Sequence, residues 1–198
     1  MEYRPWLVEE DDDSLAWIED QPDDLRGEKF RLFEGAPAKG WFPSGVIFDL
    51  EKDSGIKVAD AIPNTLALLV LSQRLRDALL KELGPRVVEF LPVRVRNQKK
   101  KLVPGPYFVG NVLDSVACMD ARKSEFRMNP VLKDQVQTFM RLALDERKIP
   151  EDKRLFRLGE QMRLVIVRAD LAAALSPAFS GMRFPKMEDY GAEYRPRA

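Results

Sequence analysis

Residues 72–120, SQRLRDALLKELGPRVVEFLPVRVRNQKKKLVPGPYFVGNVLDSVACMD, form the densest block of patterned apolar residues in the chain. Ser72 supplies a hydroxyl where the first free N–H groups of a helix need an acceptor, and Leu75, Ala78, Leu79 and Leu83 recur at helical spacing. Arg74, Arg76, Asp77, Lys81 and Glu82 occupy the other faces, and Gly84-Pro85 supplies the stop. Residues 87–95 then read as a strand, with Leu91, Val93 and Val95 on one face and Arg94 and Arg96 on the other. Pro92 has no ladder donor, so this strand is an edge or is bulged there. Beyond the loop holding Lys99, Lys100 and Lys101, residues 107–109 and 115–119 read as further strands. One helix followed by strands on short connections predicts antiparallel pairing. The expected fold is therefore α+β, a mainly antiparallel sheet packed with a few helices, plus a loop-rich acidic N-terminal region.

Working outward, residues 3–8 read as a first strand and residues 14–18 as a short helix capped by Asp13 or Ser14. Between positions 21 and 45 the repeated Pro and Gly break any long element, while Phe30, Leu32, Phe33, Trp41 and Phe42 require packing on the main body. Residues 46–48 read as a strand, and the apolar run 66–71 fits a buried strand or a helix equally. Toward the C-terminus, 139–144, 155–157 and 164–167 read as strands, Asp170 as the cap of a helix over 171–175, and 181–184 as a return to the sheet. The chain divides on this reading into an acidic region at 1–62 packed on the main body, an α+β domain at 63–185, and a polar, loosely held tail at 186–198.

The chain has 198 residues and no histidine, which removes the commonest general base and zinc ligand, and its single cysteine, Cys118, excludes a Cys/His zinc site. Cys118 lies in an apolar strand pattern and reads as core. No run is long and apolar enough to span a bilayer, and the acidic N-terminus lacks the basic-then-apolar pattern of a secretory signal, so a cytoplasmic protein with no membrane partner is expected. Net charge is zero, yet residues 1–60 hold 16 acidic and 7 basic residues and residues 61–198 hold 16 and 25. The basic excess is spread over strands and loops without aromatic interleaving, so no nucleic-acid stripe is expected.

No phosphate loop, dinucleotide fingerprint or nucleophile elbow occurs, and no cofactor or metal site is expected. Asp49-x-Glu51-x-Asp53 with Gly55 and Asp60 approaches a calcium loop, but the glycine falls one place late, so a solvated turn is the reading. The candidate partner-binding residues lie earlier. Glu9, Glu10, Asp11, Asp12, Asp13, Glu19, Asp20, Asp23 and Asp24 surround Trp6 and Trp17. Aromatic anchors with a charged rim suit a protein-binding surface whose field attracts a basic partner; an acidic solvated turn over a small subdomain fits the same residues.

Several segments in order, LVLSQRLRDALLKELGPRVVEFLPVRV, PYFVGNVLDSVACMDARKSEF, LALDERKIPEDKRLFRL, LVIVRADLAAAL and SGMRF, resemble a family of immunity proteins from bacterial polymorphic toxin systems typified by a myxobacterial member. The likeness covers residues 60–185. It rests on Ser72, Glu89-Phe90, Pro92-Val93, the 107–111 strand, Asp120 with Ser124, Leu144-Asp145, Leu155-Phe156-Arg157 and the closing 181–184 segment. The resemblance implies neutralisation of a cognate toxin by stoichiometric binding, without catalysis, and carries over no catalytic residue. Residues 1–60 fall largely outside it. The alternatives from the residues alone are a carboxylate-based, metal-dependent hydrolase or a non-enzymatic adaptor domain.

Overall fold

The computed structural model describes residues 1–191. In chain order the elements are β1 (Tyr3–Pro5), β2 (Leu7–Val8), β3 (Ile47–Asp49), β4 (Ala61–Ile62), β5 (Leu69–Ser72), α1 (Gln73–Leu83), β6 (Val88–Arg96), β7 (Tyr107–Val112), β8 (Ser115–Val116), β9 (Glu125–Met128), β10 (Val136–Arg141), β11 (Leu155–Leu158), β12 (Gln161–Arg168), α2 (Ala169–Leu175) and β13 (Met182–Arg183), with short 3-10 turns between them. A five-stranded sheet runs β3-β6-β7-β5-β4 and a four-stranded sheet runs β1-β12-β11-β8; β9–β10 and β2–β13 form two-stranded pairs. Among the described strand pairs only β3–β6 and β11–β8 are parallel, so the fold is α+β and mainly antiparallel.

The opening stretch folds as its pattern demands. Ser72 Oγ accepts the Leu75 N–H at 3.2 Å, Leu75 and Leu79 face the core, and the Gly84 N–H closes the last turn on the Leu80 carbonyl. Pro92 sits opposite Phe108 of β7, while β3 pairs with β6 only from Arg94 onward. The Arg94 N–H donates to the Val46 carbonyl, so the N–H missing at Pro92, two residues earlier, would point to the same side beyond the start of β3. A proline there forfeits no ladder bond. The 66–71 run resolves as β5 preceded by a tight turn, in which the Asn64 side chain accepts from the Leu66 and Leu68 N–H groups and donates to the Ile62 and Leu68 carbonyls.

Other expectations need correction. Residues 14–18 are extended, not helical: Leu15 and Ile18 bridge Lys57 and Asn64, and the Ala16 and Ile18 N–H groups donate to Lys57 and Pro63 carbonyls. Long-range main-chain partners there replace the local i−4 ones, and Leu15, Ala16 and Ile18 are all buried. The 3–8 strand is two, β1 on β12 and β2 on β13, with Trp6 turned into the core between them. The 139–144 strand begins earlier, as β10, and pairs with β9, a four-residue strand that is not among the expected elements. The 115–119 strand keeps only two residues. Asp170 is inside the first turn of α2, whose N-cap is Arg168, and it pairs with Arg168 and Arg154 at 2.7 and 3.1 Å. The loose tail fails for residues 186–191, where Tyr190 packs on Phe139 and Gly191 is buried; residues 192–198 lie outside the described residues.

Two buried polar groups fasten the loop before β3 to the sheets. The Glu89 carboxylate accepts the Ala38 and Lys39 N–H groups at 2.6 and 3.2 Å and the Asn111 amide at 3.2 Å. The Arg157 guanidinium donates to three main-chain carbonyls, Val112 at 2.9 Å, Met162 at 2.8 Å and Leu32 at 2.8 Å, and it faces the Phe33 ring. Each satisfies main-chain groups that loops otherwise leave unpaired when buried.

Asp60 ties β4, α1 and the segment before β13 together, accepting from Ser72, Arg74 and Ser180. Burial alone would raise its carboxyl, but the bonds from Arg74, Ser72 and Ser180 with the Arg74 charge hold it below the ordinary carboxylate value. A carboxyl lowered on folding supplies stability that is present above its unfolded value, about pH 4, and is lost as pH falls through the folded value. Urea midpoints measured across this acid range should therefore drop less steeply for Asp60→Asn than for the native chain; equal slopes would remove Asp60 as a contributor.

Candidate partner-binding surface

The main chain around Trp17 is fixed by distant residues. Its N–H donates to Ser54 Oγ at 3.1 Å, and its carbonyl accepts the Glu51 N–H at 2.8 Å. These bonds bring the turn at 51–55 beside residues 10–19 and leave the indole half-buried at the floor of a concavity of about 630 Å3. Glu10, Asp13, Glu19, Glu51 and Asp53 line it, with no lysine or arginine among the lining residues. Among the described residues no group of three or more carboxylates or thiols is arranged to hold a metal ion. The arrangement offers negative charge spread around an aromatic plate, which suits an extended cationic surface carrying lysine or arginine side chains.

A second groove, of about 940 Å3, lies next to it and shares Glu51. Its lining includes Asp20, Asp23, Asp24 and Arg26, Ile47 and Asp49 of β3, and Lys52, Arg96 and Lys100. Asp49 binds Arg96 at 2.8 Å and Lys100 at 3.3 Å; burial opposes its charge, and these two cations outweigh it and hold the carboxyl below its usual value. A third groove, of about 830 Å3, is walled by Arg4, Arg122, Lys123, Arg141 and Lys186 over Leu142, Leu144 and Met187. Its charges are largely neutralised in pairs: Arg4 with Glu2, Arg141 with Glu125, Lys123 with Asp120 and Lys186 with Glu188.

The residues singled out in the sequence thus part company. Glu10, Asp13, Trp17 and Glu19 meet at the first concavity, and Asp20, Asp23 and Asp24 at the second. Trp6 is buried and packs edge-on against Phe184 at 5.2 Å, so its indole serves the core. Glu9 accepts the Asp11 N–H, and Asp12 accepts Ser14 Oγ and approaches Lys57; these three line neither concavity. The Asp12 carboxyl is lowered chiefly by the Ser14 bonds. Glu51 and Asp53 were missed as site residues; their alternating spacing was visible, but only the fold carries them to Trp17. Cys118 is buried, and burial pushes its thiol up to about 12, which disfavours the thiolate form.

Fold and surface together define an α+β protein with a carboxylate-lined, aromatic-floored face. The chain belongs to the immunity protein family (Imm11), whose model matches residues 11–189. The match is wider than the 60–185 stretch that carries the resemblance in sequence, and takes in Trp17 and most of the acidic residues. No curated protein matches the chain. Among the described residues no helix is long and apolar enough to cross a membrane.

Proposed function

We propose that this chain neutralises a cognate toxin of a bacterial polymorphic toxin system by stoichiometric binding in the cytoplasm, without catalysis, and that the Trp17 concavity meets a basic surface of that toxin. Family membership supports the immunity role. The observation that carries the contact is the set of five carboxylates lining one concavity with a half-buried indole, of which only Glu10 has a basic partner among the described residues, Arg183 at 3.4 Å. Charge of one sign on such a face speeds encounter with an oppositely charged partner, and an aromatic at its centre suits a binding hot spot.

Coexpression with the toxin encoded by the neighbouring gene should restore growth, and the two purified proteins should form a 1:1 complex. Neither rescue nor complex would reject the immunity reading. The combined reversal Glu10→Lys, Asp13→Lys, Glu19→Lys should slow association and weaken the complex about tenfold or more at low salt, with the difference shrinking as salt is added. All three side chains are exposed, so the unfolding midpoint should move little. Unchanged affinity at low salt would move the contact elsewhere.

A further inference from the structure

The outer edge of β3 is open. Across the parallel pair, the Val46 carbonyl accepts the Arg94 N–H and the Leu50 N–H donates to the Arg96 carbonyl. Alternate residues of a strand direct their main-chain groups to opposite sides, so Ile47 and Asp49 present their N–H and C=O groups away from β6. None of these four groups bonds to another described residue. Both residues line the groove of about 940 Å3, which keeps the edge clear of the rest of the chain. Proteins normally cover or blunt an edge of this kind, because it is a template for another strand.

The same groove is lined by Asp20, Asp23 and Asp24. Only Asp23 has a cation close by, Arg26 at 3.0 Å, and both members of that pair are largely exposed. Arg96 and Lys100 on the β3 side are already engaged by Asp49. The groove therefore combines a row of free main-chain donors and acceptors with two carboxylates, Asp20 and Asp24, that have no ion-pair partner among the described residues, beside Asp23 with its exposed partner Arg26 and the further lining cation Lys52. Strand addition takes its affinity from main-chain bonds and its selectivity from side chains on alternate positions.

We propose that β3 is a docking edge for an extended, lysine- or arginine-bearing segment of the toxin, which adds to the five-stranded sheet as a sixth strand with its cations against Asp20, Asp23 and Asp24. This rests on the toxin-binding reading and specifies how the toxin is held. The groove shares Glu51 with the Trp17 concavity, so one basic partner can occupy both.

The test is amide hydrogen exchange on the chain alone and with the toxin domain encoded by the neighbouring gene, joined to affinity measurements on two β3 variants. In the complex the Ile47 and Asp49 amides should exchange at least about tenfold more slowly than in the free chain. Ile47→Pro removes an outward N–H that serves no internal bond, and should weaken the complex about tenfold or more; Ile47→Val keeps the N–H and should bind as the native chain does. A complex that forms with both amides exchanging as in the free chain overturns strand addition and leaves the immunity reading intact. Protection of these amides in the free chain that rises with its own concentration also overturns it, since the edge would then pair with a second copy. No complex with the native chain overturns the immunity reading and this inference with it. Should Ile47→Pro fail to fold, the exchange measurement on the native chain still decides.

Discussion

Replacing Arg157 with leucine should lower the thermal unfolding midpoint by about 10 °C, and replacing it with lysine should recover little of that loss. The guanidinium is buried and has no carboxylate partner among the described residues; each of its three nitrogens donates to a carbonyl, those of Val112, Met162 and Leu32. Burial pushes its pKa down to about 10, so the group is still charged at neutral pH. Leucine would relieve the burial of a charge, which is a gain, but would leave three carbonyls in the core without a donor at roughly 1–3 kcal/mol each. The net loss is about 3–4 kcal/mol, and roughly 2–4 °C accompanies each kcal/mol in a domain of this size. A lysine ammonium keeps the charge but lacks the planar fork that reaches three separated acceptors. Thermal melts followed by circular dichroism would settle it: a lysine variant within about 2 °C of the native chain would mean that charge, and not the fork, fastens Leu32 to the sheets.

Gly181→Ala should be at least as damaging. Gly181 has φ +86, and a Cβ there would fall 1.9 Å from the Ala61 carbonyl oxygen and 2.5 Å from the Ala59 Cβ. The neighbouring backbone has little freedom to yield, because the Ala61 N–H is bonded to the Ser180 carbonyl and the Glu9 N–H to the Gly181 carbonyl. Relief would separate β13 from β2 and expose Trp6 and Phe184, a loss of about 3 kcal/mol or more from strain and lost burial combined. Gly105 offers the matched control, with φ +92 and open space where its Cβ would lie. Gly105→Ala should cost only the backbone term, about 1–2 kcal/mol. Equal losses in the two variants, measured by urea denaturation, would show that the close approach to Ala61 contributes nothing.

What the sequence revealed follows from how local each signal is. The cap, stripe and stop of α1 lie within thirteen residues of one another, and the Pro92 strand declares its face by strict alternation; both survive in the fold. Residues 14–18 have a local pattern equally suited to a helix, but their partners are Lys57 and Pro63, which no local pattern names. β9 is only four residues long, so its alternation of Glu125 and Arg127 with Phe126 and Met128 is too short a signal to stand out. Glu89 shares the face of Leu91, Val93 and Val95 by alternation, and Arg157 stands in a wholly apolar run, so both positions read as core, but no local pattern names the distant main-chain groups that these buried charges satisfy. The acidic surface was legible as charge because charge is local. Its division into two grooves was not, since Glu51 and Asp53 arrive at Trp17 only through the main-chain bonds of residues 51–57 to residues 14–17.

The pairing of β1 with β12 and of β2 with β13 has a consequence in time. Residues 3–8 leave the ribosome about 160 residues or more ahead of their partners, so a long loop must close, and closing a long loop before its contacts form slows folding. At about 5–20 residues per second, synthesis alone delays that pairing by roughly 10–40 s after residues 3–8 have been made. During that interval Trp6 has no Phe184 to cover it. A cell relying on newly made copies of this chain would gain them only after residues 161–184 had been added, and synthesis halted before that point would yield a nascent protein with β1 and β2 unpaired.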